Sequence, residues 1–245
     1  MGISSVQDYM NLVNEPWGKI FYDLLFRQLN LPVSPRLKIL DFGSGPGVTS
    51  NYFATWHEVT AVEPSNEMVD SSHKQNPYTT ICGGIESLAG FEDNGFDMVF
   101  CHNVLEYVEK KEPIIAELMR VLKIGASLSL VKHNRVGKVL HSTVFENDPV
   151  KAMSLIDNPV NDKSNYLGTQ YLYSNDDAAT LAAKYGGKIH KILGIRAFYA
   201  LGQDNAVKYD DEWYQNMLAL ETKVAAMDDY KNMAYLNHLL IEKIG

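Results

Sequence analysis

At 245 residues the chain suits one domain, since a single core still grows at that length before chains divide. Its 46% hydrophobic and 21% charged residues exclude wholesale disorder, and a formal charge of -8, from 22 basic against 30 acidic side chains, excludes a general attraction to phosphate or anionic membranes. Cys82 and Cys101 show neither CxxC nor zinc spacing and are expected to pack as small apolar residues; with no signal-like start and no membrane-length apolar run, a cytoplasmic protein without a metal or membrane partner is expected.

From Trp17 to Leu31 the apolar residues Trp17, Ile20, Phe21, Leu24, Leu25 and Leu29 recur at threes and fours, which predicts an amphipathic helix stopped by Pro32 and Pro35. Residues 1–35 are therefore read as an N-terminal helical cap. The run Leu37 to Phe42 is short and mostly apolar and ends in a glycine cluster, as a buried parallel strand entering a tight turn would. A helix is expected from Val48, a second strand over Glu58 to Glu63, a helix opening at Ser65, and a third strand over Thr79 to Cys82. Phe96 to Cys101 gives a fourth strand, Glu112 to Leu122 a helix closed by Gly125, and Ala126 to Lys132 a fifth strand. Between His133 and Tyr173 regular spacing breaks down among Asn, Asp and aromatic residues with Pro149 and Pro159, so 133–173 is expected to be an irregular lid or substrate region. A helix over Asp176 to Tyr185 ends at Gly186-Gly187, Ile189 to Ala200 alternates as a strand, Asp211 to Met227 is helical, and Met233 to Ile244 returns as a last strand. This alternation predicts one α/β domain spanning 1–245.

The chemistry concentrates in Leu40-Asp41-Phe42-Gly43-Ser44-Gly45-Pro46-Gly47, where a strand delivers three alternating glycines just before a helix. Glycine accepts positive φ and lacks the Cβ that would hold a ligand away from the turn. A dinucleotide site asks for GxGxxG, whereas Gly43, Gly45 and Gly47 follow GxGxG, which favours S-adenosylmethionine. The second strand ends in Glu63, about 20 residues beyond the glycines, where a carboxylate can accept hydrogen bonds from both ribose hydroxyls. An acid there serves NAD equally well, so an NAD-binding domain stays open on these residues alone.

The glycine turn and Glu63 resemble the first motif and the acidic second motif of the class I S-adenosylmethionine-dependent methyltransferases, and the likeness runs through most of Leu37 to Lys132. It implies a Rossmann-like, doubly wound, mostly parallel seven-stranded sheet with a lid inserted after the fifth strand. It also implies that Gly43, Ser44, Gly45 and Gly47 wrap the methionine end, that Asp41 steadies the loop or faces the amino group through water, and that Glu63, followed by Pro64, holds the ribose. Met68 stands where a side chain packs on the adenine face. Gly84 replaces the Asp that many relatives direct at the adenine amino group, so adenine recognition falls to backbone at Gly84 and Ile85 or to Glu86. Phe96 to Tyr107 resembles the fourth motif, which sets His102 beside the reactive methyl as a cofactor contact, substrate donor or base. Asn103 either faces the same pocket or caps a helix.

Ser127 to Leu130, Gly194 to Phe198 and Leu218 to Glu221 further resemble the tRNA 5-carboxymethoxyuridine methyltransferases, which esterify a carboxylate on a wobble uridine; Arg196 then becomes the acceptor's carboxylate partner. A carboxylate is ionised near neutrality and needs no general base, whereas an alcohol, phenol or amine would make His102 or His133 the base to test. Lys132, His133, Asn134, Arg135 and Lys138 form the one basic concentration, read as a phosphate contact or a solvated rim, and Tyr166, Tyr171 and Tyr173 either stack on a base or seal a core edge. The acceptor is thus tRNA or a small molecule, S-adenosylhomocysteine is the expected product, and a non-catalytic S-adenosylmethionine sensor is the alternative from outside enzymology.

Overall fold

The computed structural model describes residues 5–158, 162–163 and 168–245, so Pro159 and Tyr166 lie outside the described residues. In chain order the elements are α1 Val6–Asn14, α2 Pro16–Leu29, β1 Lys38–Phe42, α3 Val48–Phe53, β2 Glu58–Glu63, α4 Asn66–Asp70, β3 Thr79–Cys82, β4 Phe96–His102, α5 Glu112–Val121 and β5 Leu122–His133. There follow α6 Arg135–Val144, α7 Pro149–Asp157, the short strands β6 Asp162–Lys163 and β7 Thr169–Gln170, α8 Asn175–Ala183, β8 Gly187–Ile195, α9 Asp211–Val224, α10 Asp228–Lys231 and β9 Leu236–Lys243. Seven strands form one mostly parallel sheet in the order β3-β2-β1-β4-β5-β9-β8, the doubly wound arrangement expected, while β6 and β7 pair antiparallel in a separate ladder.

The chain divides into two compact units. One comprises Leu31–Leu130, Asn175–Lys191 and Leu239–Gly245 and contains some part of every strand of the large sheet. Its core is the β1–β4 centre, where Ile39, Leu40, Val99 and Phe100 are completely buried. The other comprises the described residues of Met1–Asn30, Val131–Ser174 and Ile192–His238, and carries α1, α2, α6, α7, α9 and α10.

Register positions the chemistry of the sheet unit. Leu40 pairs with Thr60 and Phe42 with Val62 across parallel β1 and β2, while Glu63 pairs with Cys82 across β2 and β3. The strands therefore end together, with Gly43, Glu63 and Gly83-Gly84 side by side at the carboxyl edge where open α/β sheets bind ligands.

Several elements depart from the sequence reading. The cap contains a further helix, α1, started by the Ser5 side chain accepting from the Asp8 amide at 3.1 Å. Gly18 lets α1 approach α2, because a Cβ there would meet the Val13 carbonyl oxygen at 2.3 Å. Gly125 does not close α5: that helix ends at Val121, and Gly125, with φ +80°, kinks the interior of a longer β5. The stretch 133–173 is not irregular throughout, since α6 and α7 occupy much of it. Asp148 caps α7 by accepting from the Lys151 amide at 2.9 Å, and Pro149 in the first turn is itself a helix-start signal. β8 stops at Ile195 instead of running to Ala200, because Arg196 turns left-handed at φ +61°. Cys101 is buried as expected, but Cys82 is exposed, its Sγ 2.9 Å from Asn66 Oδ1.

Candidate active site

The glycine turn is held from β2. The Gly43 amide donates to the Val62 carbonyl at 2.8 Å and the Ser44 amide to the same oxygen at 3.2 Å. Gly43, Gly45 and Gly47 all have left-handed φ, +70°, +53° and +70°, yet what lies before each differs. A Cβ on Gly43 would meet Val104 Cγ2 at 2.3 Å, and one on Gly47 the Tyr78 hydroxyl oxygen at 2.2 Å, so these two glycines are required by the protein's own packing. A Cβ on Gly45 would meet nothing within 4 Å. This residue alone of the three leaves open space before the turn, where the resemblance expects the methionine end of S-adenosylmethionine.

Glu63, expected to hold the ribose, is also part of the turn. Its Oε2 accepts from the Gly45 amide and its Oε1 from the Ser65 amide, both at 2.9 Å, and it is buried. Each oxygen keeps a second lone pair, so the carboxylate can fix the loop and still accept from a sugar diol. Asp41, the next-to-last residue of β1, is also buried and accepts from Ser50 Oγ at 2.6 Å, which ties β1 to α3. Burial pushes its carboxyl up to about 6; the Ser50 hydrogen bond opposes that rise and the Glu63 charge adds to it. The ammonium end of a cofactor would relieve both carboxylates.

Along the same edge, Ser65 caps α4 by accepting from the Met68 amide at 3.3 Å, Pro64 links Glu63 to that cap, and Met68 is buried. Gly84 donates its amide to Glu86 Oε1 at 2.6 Å, and backbone amides hold the Glu86 carboxyl below the usual range. Glu86 is therefore engaged with its own loop, which favours the expectation of adenine recognition by backbone at Gly84 and Ile85 over one by Glu86. A side chain at position 84 would run into Glu86, whose Oε2 lies 2.9 Å from where a Cβ would stand.

His102 ends β4 with Nε2 2.8 Å from Ser129 Oγ and its ring stacked 5.2 Å from Phe100. That anchorage suits a positioned contact or donor better than a mobile base. Asn103 follows at φ +55°, and it does not cap the next turn, whose N-cap is Val104.

The other unit holds Arg196. Neither a surface residue nor an ion-paired one, it is 1% exposed, and its Nε and Nη1 have no hydrogen-bond partner. The guanidinium carbon lies 4.2 Å from the Trp17 ring centroid and 4.9 Å from that of Tyr235. Burial lowers its pKa to about 10, which leaves it cationic at neutrality. The carboxylate of Glu221 is spent on backbone, accepting from the Ala197, Phe198 and Tyr199 amides at 2.8 Å each. The basic concentration is a solvated rim only at Arg135, which is exposed: Lys132 and Lys138 are buried, Lys138 Nζ donating to Gln170 Oε1 at 2.6 Å and Lys132 Nζ lying 4.9 Å from the Tyr173 ring centroid. His133 packs edge-on to Tyr235 at 5.4 Å. Sequence reasoning gave Tyr78 no place at all and named Val104 and Glu221 only within longer matched segments, because all three act through long-range contacts.

The family model described as methyltransferase domain matches residues 40–130. The tRNA 5-carboxymethoxyuridine methyltransferase of Escherichia coli K12 is 24% identical over 246 residues, covering 95% of this chain and 92% of that protein. A SAM-dependent methyltransferase from Thermotoga maritima shares the fold with a TM-score of 0.64 at 15% identity, over 97% of this chain and 95% of that one. One from Archaeoglobus fulgidus does so with a TM-score of 0.63 at 12% identity, over 96% and 99%. The matched segment, a methyltransferase domain, is the one that carries the open glycine turn and Glu63, and the chain has the fold of the S-adenosylmethionine-dependent methyltransferases.

Proposed function

We propose that this methyltransferase esterifies a carboxylate, and that its acceptor is 5-carboxymethoxyuridine at the wobble position of tRNA. The observation that carries the reading is Arg196, a buried cation with two unpartnered nitrogens. Burying a charge without a hydrogen-bonded counterpart is costly, and a carboxylate arriving with the acceptor supplies that counterpart. The likeness to the E. coli enzyme along nearly the whole chain agrees with it.

Bound S-adenosylmethionine supplies an electrophilic methyl group on a sulfonium. Gly43 to Gly47 and Glu63 bind and orient that group, with Asp41 bracing the loop through Ser50. Arg196 holds the acceptor carboxylate, already ionised and nucleophilic, so alignment for in-line displacement is the main demand on the protein. No proton leaves the acceptor, which agrees with a His102 fixed on Ser129. A free small-molecule carboxylate is the second reading, favoured by the net charge of -8. The test is incubation with labelled S-adenosylmethionine and an anticodon stem-loop carrying 5-carboxymethoxyuridine, followed by nucleoside mass spectrometry. A methyl ester on that uridine is expected, lost in Arg196→Gln with cofactor affinity retained; an unmodified stem-loop overturns the tRNA assignment.

A further inference from the structure

The turn that carries Arg196 also carries Tyr199, and its phenol is the second unexplained group of the same unit. Tyr199 is 1% exposed, yet its hydroxyl has no hydrogen-bond partner. Buried hydroxyls are nearly always bonded, and one left bare next to a bare guanidinium needs a common explanation. The electrostatic coupling between Arg196 and Tyr199 places the two groups in one neighbourhood.

Their support is shared as well. The two oxygens of Glu221 accept the consecutive amides of Ala197, Phe198 and Tyr199, so one buried carboxylate clamps the turn and presents both side chains from a fixed frame. Lys208, itself buried, lies with Nζ 4.7 Å from the Tyr199 ring centroid and 5.1 Å from that of Phe145. Its Nζ donates to Asn205 Oδ1 at 2.9 Å, and the nearby carboxylate of Asp204 acts on its charge without a direct hydrogen bond. Arg196 and Lys208 are thus two buried cations that repel one another, and the carboxylate that acts on Arg196, Glu221, is already committed to backbone. The surroundings ask for an anion.

We propose that Tyr199 is a second recognition residue for the acceptor, its hydroxyl donating to the carboxylate that Arg196 holds, with Lys208 fixing the ring from its face. The assignment rests on the carboxylate reading above. Burial also pushes the phenol up to about 12, so at neutral pH it keeps its proton and acts as a donor. A phenol in this role discriminates by charge: it strengthens binding of the ionised acceptor and contributes much less to the neutral ester product, which favours release after transfer.

Tyr199→Phe removes only the hydroxyl. Loss of a hydrogen bond to a charged group predicts an acceptor KM raised at least about tenfold, with S-adenosylmethionine affinity and the melting temperature unchanged. The probe is an anticodon stem-loop carrying 5-carboxymethoxyuridine, and its methyl ester serves as the neutral comparison. The variant should lose affinity for the acid and keep its affinity for the ester. Equal losses for both ligands, an unchanged KM, or a lowered melting temperature would each overturn the assignment. Arg196→Lys separates the two levels: if it weakens acid binding while Tyr199→Phe does not, the carboxylate reading stands and the Tyr199 role falls. If neither variant responds, both fall.

Discussion

Asp41→Asn isolates the electrostatic cost of the braced loop. In the folded chain the Asp41 carboxyl rises from 3.8 to about 6 because it is buried beside Glu63, so at neutral pH the native state holds a charge that the unfolded chain holds more easily. At about 1.4 kcal/mol per pH unit, this difference destabilises the ligand-free protein by about 3 kcal/mol above pH 6. The sign is opposite to that of a salt-bridged carboxylate. Between about pH 4 and 6 the native state binds more protons than the unfolded one, so wild-type stability falls as pH rises through that window and then levels off. Asparagine keeps an acceptor oxygen for the Ser50 hydroxyl but carries no charge. It should therefore raise the melting temperature at pH 8 by roughly 6 °C, from an unfolding entropy of about 2.1 cal/mol/K per residue, and the advantage should vanish near pH 4. Thermal melts of wild type and variant from pH 4 to 8 measure it. Saturating S-adenosylmethionine should erase the variant's advantage, since the cofactor ammonium supplies the missing counter-charge only to an ionised Asp41. A variant no more stable than wild type at pH 8, or more stable by the same amount at every pH, would refute the reasoning.

Gly45→Ala and Gly47→Ala impose similar backbone strain, about 1 kcal/mol for a left-handed alanine, but only the second collides with its own protein, at the Tyr78 hydroxyl. Calorimetry and melting curves should show Gly45→Ala losing cofactor affinity at least about tenfold with little further destabilisation, and Gly47→Ala losing several degrees more. His102→Ala should retain measurable single-turnover methyl transfer to a carboxylate, because no proton has to be removed; abolition of transfer with cofactor binding intact would make His102 a base and the acceptor a protonated group.

The sheet unit was legible because its signals are local. The run Leu37 to Phe42, the GxGxG spacing and Glu63 lie within a few dozen residues, and parallel register brings them together without further information. The second unit was less so. Asn134, Asn147, Asp148 and Pro149 look like loop formers when counted, yet Asp148 and Pro149 are the cap and first turn of α7, a cue visible in the sequence and overridden by composition. The alternation of Ile189 to Ala200 concealed the turn at Arg196, because nothing local announces a left-handed arginine; its conformation is set by Glu221, 25 positions downstream by numbering and buried against the turn's amides. The burial of Arg196 was equally hidden, since its ring neighbours Trp17 and Tyr235 come from opposite ends of the chain.

Each unit keeps buried charge of one sign short of a counterpart, and the signs match what each would bind. In the sheet unit burial raises Asp41 and the Glu63 charge adds to that rise, and the atoms the two carboxylates hold are neutral amides and a hydroxyl. A ligand with an ammonium and a sulfonium is the chemical complement. In the second unit the buried guanidinium of Arg196 lies against aromatic rings, the acid that acts on it, Glu221, is consumed by three amides, and Lys208, beside Asp204, adds a second positive charge. Its complement is an anion. A methyl donor that arrives cationic and leaves with the sulfonium charge lost, and an acceptor that arrives anionic and leaves as a neutral ester, would each weaken its own hold on the protein in the same chemical step. On this account product release follows from the reaction's own charge balance, without a separate conformational device to drive it.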